Sequence, residues 1–156
     1  MDEFTPDQLR AVGFDGFVRL RTLRPEDVPM GGGVYVVVLT ADHAPTFLPS
    51  SGAGWFKGRD PSVAIETLTD SWVENCPVLY IGKATSLRRR LREYSRFGAG
   101  HKVGRWGGRY IWQLAESDEL LVAWRPTEEL PRGVEKDMLR RFAARYGRRP
   151  FANLTG

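Results

Sequence analysis

Tyr35 and Tyr80 each stand in a short apolar run, VYVVVL and VLYIG, and the second run is followed at once by Lys83 and by five arginines within residues 88–96. Phenols, an ammonium group and guanidinium groups gathered in so short a stretch suit phosphate chemistry. A phosphodiester undergoing cleavage develops negative charge on its phosphoryl and leaving oxygens, and cations held nearby stabilise that charge. A carboxylate of interest lies further on. Met138, Leu139, Phe142 and Tyr146 form an apolar stripe at helical spacing, and Glu135, three and four residues before Met138 and Leu139, falls on it. A carboxylate on a packed face costs free energy unless it finds a partner. Glu135 reads either as a metal ligand at the rim of the core or as a helix-start glutamate favoured by the helix dipole. Asp137 is its nearest rival for a metal, but it lies off the stripe.

These residues need elements to position them. TPDQLRAVGF reads as a short helix with Thr5 as cap and Gly13 near its end. GFVRLRTL alternates as a half-buried strand from Phe17, and GVYVVVLT reads as a central strand covered on both faces. Residues 40–75 are Pro-, Gly- and Ser-rich, and within them PSVAIETLTDSWV is expected to be helical, with Pro61 early and Ile65, Leu68 and Trp72 on one stripe. A strand over VLYIG follows, then a helix from about Ser86 that packs through Leu87, Leu91 and Tyr94. RYIWQL and ELLVAWRP are expected to pair as a hairpin through AESD. The last helix is expected from Gly133 to Tyr146, with Gly147 at its C-terminal cap and Pro150 just beyond. The order predicts one α+β domain over residues 1–156: a small, mostly antiparallel sheet flanked by helices.

Charge is unevenly placed. Residues 83–109 carry nine Lys and Arg against Glu93 alone, and residues 132–149 carry seven against Glu135 and Asp137, although the whole chain has a net charge of only +4. Two basic segments on an otherwise acidic chain imply a side that faces a polyanion, or helical arginines that solvate an exposed face. No apolar run approaches the roughly 20 residues a membrane span needs, so no membrane partner is expected. The acidic start MDEFTPDQ is unlike a leader, and the lone Cys76 allows neither an intrachain disulfide nor a cysteine metal cluster. A cytoplasmic setting is expected. His43 and His101 lie far apart, without the spacing of a histidine-metal nuclease.

Gly33, Val34 and Tyr35 on one strand, Tyr80, Ile81 and Gly82 on the next, an Arg-rich helix, and a carboxylate helix ending in PFAN together resemble the GIY-YIG nuclease family over roughly residues 31–156. The resemblance implies that Tyr35 and Tyr80 face the scissile phosphate and that Gly82 lets the backbone come close to it. It implies that Lys83 sits beside the site, that Arg90 is the catalytic arginine, and that Tyr94 is a further site position. It gives Glu135 the divalent metal, Mg²⁺ or Mn²⁺, and makes Asn153 the asparagine that braces the site. A hard cation of this kind accepts few protein ligands, so one carboxylate suffices in principle. A tyrosine with its ordinary pKa of about 10 is a poor base at neutral pH, and Arg90, Lys83 and the metal are expected to lower it. Tyr35 is the base or base relay on this reading, with Tyr80 as the alternative.

Two features depart from the family pattern. The stretch between the two tyrosines is long, an insertion over residues 40–76 after a 30-residue N-terminal extension, and Glu135 and Asn153 are widely separated. Trp55, Phe56, Lys57 and Arg59 in the insertion read either as base-stacking and phosphate contacts or as a decorated loop with its own mini-core around Trp72. Arg88, Arg89 and Arg92, with Lys102 and Arg105 of GAGHKVGRWGGR, are expected to supply sequence-independent phosphate contacts. The implied partner is DNA, double-stranded, with a homodimer or an accessory protein left open. The implied function is a metal-dependent DNA endonuclease in restriction, defence or repair. The alternatives are an inactive nucleic-acid-binding module and a structure-selective nuclease that works with a partner.

Overall fold

The computed structural model describes residues 4–41, 43–102 and 107–154. The elements follow in the order α1 (Pro6–Ala11), β1 (Asp15–Arg19), β2 (Gly33–Val38), α2 (Ile65–Ser71), β3 (Val78–Ala84), α3 (Leu87–Gly98), β4 (Leu121–Pro126) and α4 (Pro131–Tyr146), with short 3-10 turns at Pro25–Asp27, Arg109–Gln113 and Ala115–Glu119. The chain is α+β. Its four strands form one antiparallel sheet in the order β1-β4-β2-β3.

β2 is buried along all six residues, because it lies inside the sheet and both faces are covered. Strand alternation divides its side chains. Tyr35 and Val37 enter a core with Leu87, Leu91 and Tyr94 of α3 and with Tyr110, Trp112 and Phe151. Val34, Val36 and Val38 enter a second core with Met138, Leu139 and Phe142 of α4 and with Phe4, Leu9 and Phe14 around α1. Residues directly opposite on paired strands share a face, and Tyr35 is opposite Gly82 while Val37 is opposite Tyr80. The register therefore puts both tyrosines on the α3 side.

β3 is a sheet edge, and the C-terminal segment covers it. Ala152 N donates to Leu79 O (2.8 Å), and the buried Asn153 side chain accepts from Ile81 N (3.0 Å) and donates to Ile81 O (2.9 Å). An exposed edge is a pairing hazard; here an amide side chain occupies it.

The helix caps follow the sequence. Thr5 accepts from Gln8 N at 3.2 Å, Ser86 caps α3 through Arg89 N, and Gly147 closes α4 at φ 77°. Four expectations need correction. RYIWQL is a 3-10 turn and not a strand, so there is no hairpin through AESD: Tyr110, Ile111, Trp112 and Gln113 are buried in succession, which a two-faced strand cannot provide. Helix α2 starts at Ile65, not near Pro61, because the Gln113 side chain holds both Val63 N (2.9 Å) and Val63 O (2.8 Å) just before it; Ile65 is exposed, and only Leu68 of the helix is buried. β1 begins two residues before Phe17 and breaks its register there, with Phe17 at φ 55°. Helix α4 begins at Pro131, two residues before Gly133.

The insertion is not a separate unit. Trp72 packs edge-on against Phe151 (5.0 Å between ring centres) and Phe47 stacks on Phe151 (5.9 Å), so the cluster around Trp72 joins the α3-side core.

Candidate active site

Three elements bring the predicted groups together. Tyr35 of β2 and Tyr80 of β3 lie 6.0 Å apart between ring centres, and Tyr94 of α3 lies 6.2 Å from the first and 5.7 Å from the second. Arg90, one turn before Tyr94, donates from Nε to the Tyr35 hydroxyl at 3.1 Å and sets its guanidinium 5.1 Å from the centre of the Tyr94 ring. Only 7% of Arg90 is exposed, so this guanidinium is in effect an interior charge. Burial works against that charge, and the tyrosine oxygens outweigh it, so Arg90 holds its proton more tightly than an ordinary arginine.

Beside the triad lies a cleft of about 410 Å³ between the N-terminal ends of α3 and α4, bounded by Lys83, Thr85, Ser86, Arg89, Arg90 and Arg132 among others. Neither helix has an acidic residue in its first turn, so both positive dipole ends add to the cationic side chains. Lys83 Nζ meets Glu135 Oε1 at 3.3 Å, with the lysine side chain 46% exposed and the carboxylate 16%. Glu135 is thus the half-buried carboxylate expected from its stripe, but with a lysine as its partner. The contact uses one of its two oxygens. Among the described residues, no group of three or more His, Cys, Asp and Glu side chains converges as a metal cage. A site here would rest on Glu135 with water and substrate oxygens, which fits a hard cation that keeps most of its waters.

For Tyr80 the protein's own groups act against the expected lowering. Burial pushes its phenol well above the ordinary value, Tyr35 adds to the push, and Arg90 only partly offsets it; the Glu135 charge raises it further. Burial likewise raises Tyr94. The protein's own groups thus hold Tyr80 neutral across the physiological range.

Gly82 also has a packing role within the sheet. A side chain there would strike the Tyr35 ring, 2.3 Å from Cζ and 2.5 Å from the hydroxyl. The glycine makes room for the catalytic candidate, which lies directly across the strand pair from it. Tyr94 lies wholly inside the core, and its hydroxyl donates to Gly108 O at 2.7 Å. It holds Arg90 on one side and the chain at Gly108 on the other. Asn153 sits behind β3 and fixes Ile81, the residue between Tyr80 and Gly82.

The expected phosphate contacts divide. Arg89 and Arg92 are exposed on α3, Arg89 in an i,i+4 ion pair with Glu93 (3.5 Å). Lys102 is exposed beyond the far end of α3, and Arg105 lies outside the described residues. Arg88 is engaged within the chain: its Nε donates to Val28 O (2.9 Å) and its terminal nitrogen to Glu26 O (3.4 Å), so it ties α3 to the turn at Pro25–Asp27. Arg132 was missed. It stands in the first turn of α4 and lines the cleft opposite α3. Pro131, a residue type favoured at the first helical position, was the signal that α4 starts early enough to place it there. No family model, curated protein or solved structure matches the chain.

Proposed function

We propose that the chain is a metal-dependent endonuclease that hydrolyses DNA phosphodiester bonds, of the GIY-YIG type, in a restriction, defence or repair role. One observation carries the reading: two tyrosines from neighbouring strands lie ring to ring, and a buried arginine that lines a basic cleft donates to one of them, beside the Lys83–Glu135 pair. A phosphate in the cleft would be held by Lys83, Arg89 and Arg132. Arg90 would face the charge that grows on the phosphoryl group, from a position fixed by the helix. Tyr35, whose hydroxyl oxygen accepts from Arg90, is the group through which the proton of an attacking water would pass. Tyr80, kept neutral by burial, would donate to a phosphoryl oxygen. Glu135 would hold Mg²⁺ or Mn²⁺, which when bound would supply Lewis-acid charge at the phosphate.

The test is incubation of pure protein with plasmid, linear, single-stranded and branched DNA, with Mg²⁺ or Mn²⁺ or with excess chelator. Cleavage is expected with metal only, and Glu135→Gln should remove it while DNA binding persists. Undiminished cleavage in chelator would sink the metal role. Binding without cleavage under any condition would leave a nucleic-acid-binding module in place of the enzyme.

A further inference from the structure

Most of the insertion packs inward, and one part of it does not. Trp55 is 52% exposed and is the one aromatic among the exposed large apolar side chains of the described residues. It is not a loose side chain on a loose loop. Phe56 and Arg59 exchange backbone hydrogen bonds (3.1 and 2.9 Å) around Lys57 and Gly58, both with positive φ (50° and 76°), the backbone of a two-residue hairpin turn. A lysine held in the left-handed region is kept there against its preference, and strain of that kind clusters at functional sites. The root of the turn is fixed twice. Gly54 N donates to Phe97 O of α3 (2.9 Å), and Ser51 N donates to Ser62 Oγ (2.8 Å). A side chain at Gly54 would strike the His101 carbonyl (1.7 Å), so the chain beside Trp55 is locked against residue 101.

The surroundings are basic. Lys57 and Arg59 are exposed on the turn, with the Lys57 ammonium 5.1 Å from the Phe56 ring centre, and Lys102 is exposed next to His101. The neighbouring acid, Asp60, accepts from Ser62 N at 2.9 Å. Phe97, which anchors the root of the turn, follows Arg90 on α3 by seven residues, about two helical turns or roughly 10 Å along the helix axis. Gly107 lies beside Tyr80: a side chain there would come within 3.3 Å of the Tyr80 hydroxyl.

We propose that the turn around Trp55 is a second nucleic-acid contact, in which the indole stacks on a base of the strand whose phosphate lies in the cleft and Lys57 and Arg59 meet the flanking phosphates. The proposal rests on the reading above only in taking nucleic acid as the ligand, not in requiring cleavage. An indole offers every base a π-face, so the contact is indifferent to sequence and sensitive to whether a base is free to be stacked upon.

Binding is measured by fluorescence anisotropy in excess chelator, with a labelled oligothymidine, a perfect duplex and the same duplex carrying a one-base bulge. Trp55→Ala should weaken binding to the single strand and the bulged duplex by about 5- to 150-fold, the range of one base–aromatic stack, and Trp55→Phe should keep most of the affinity. A smaller loss on the perfect duplex assigns the ring to an unpaired base; an equal loss assigns it to a base step that it opens. Equal affinity of Trp55→Ala and wild type on all three ligands overturns the proposal. So does a Trp55→Ala protein that changes only its sedimentation, which would make the ring a contact between copies of the chain. Trp55-dependent binding without cleavage in metal would sink the endonuclease reading and leave this one standing. Cleavage with Trp55-independent binding would do the reverse.

Discussion

The Tyr35 ring lies over Gly82, and this pairing makes a sharp prediction. Gly82→Ala places a methyl group where the ring now is, and overpacking of this kind costs typically about 1–3 kcal/mol. In a Tyr35→Ala background the space is free, so most of that cost should vanish. A double-mutant cycle by urea denaturation measures the coupling; additive losses would mean that the ring and the glycine do not contend for one space. Arg90 makes a second case. Its guanidinium is buried and bonded to Tyr35, so its truncation leaves a polar partner unmatched in the core. Arg90→Ala should lower stability by about 1–3 kcal/mol. On the proposed mechanism it should also lower the single-turnover rate a hundredfold or more, on the order of 3 kcal/mol of transition-state stabilisation. Rates must be read well below the variant's melting temperature, with Arg89→Ala as control. Equal rate losses in the two variants would end the distinction between Arg90 and the other arginines of α3.

At the scale of elements, α3 divides its arginines by face. Arg88 binds the carbonyls of Val28 and Glu26, Arg90 faces the core, and Arg89 and Arg92 face solvent. Arg92→Ala should therefore weaken DNA binding and flatten its salt dependence by roughly 0.9 in the log–log slope. Arg88→Ala should leave that slope alone and lower the melting temperature. An Arg88→Ala slope as shallow as that of Arg92→Ala would return Arg88 to the footprint. The same helix shows what was legible. Ser86 as cap, Leu87, Leu91 and Tyr94 as a packed stripe, and β2 as a covered strand were all readable from residue type and spacing, because period and capping are local. The fate of Arg88 was not, since its acceptors lie about 60 residues earlier on a turn with no pattern of its own. RYIWQL misled for a related reason. Its β-branched and aromatic residues favour a strand, but four successive buried residues suit a tight turn packed into the core and not a two-faced strand. The site was legible as a set of residue types. Its internal logic, with Gly82 under Tyr35 and Lys83 on Glu135, came only from cross-strand register and helix docking.

For the whole molecule, two phenols in one core tie stability to alkaline pH. Burial raises both Tyr80 and Tyr94. A group whose folded pKa lies above its unfolded value stabilises fully below the unfolded value, about 10 for tyrosine, and loses that contribution as pH rises past it. The folded state should weaken steeply above about pH 10, and Tyr80→Phe should flatten that limb in denaturant melts at successive pH values. An unchanged limb would mean that Tyr80 ionises freely in the folded chain. The order of the sheet has a consequence in time. β4 lies between β1 and β2, with Asp15 opposite Trp124 and Tyr35 opposite Trp124 from the other side. The strand that joins β1 to β2 is thus made long after both of them. While the ribosome makes residues 39–120, β2 has an apolar run and an open edge with no partner on that side. Long-range pairing of this sort slows folding, and an unpaired hydrophobic edge invites association with other chains. The sheet therefore cannot close on that side of β2 until β4 has left the exit tunnel.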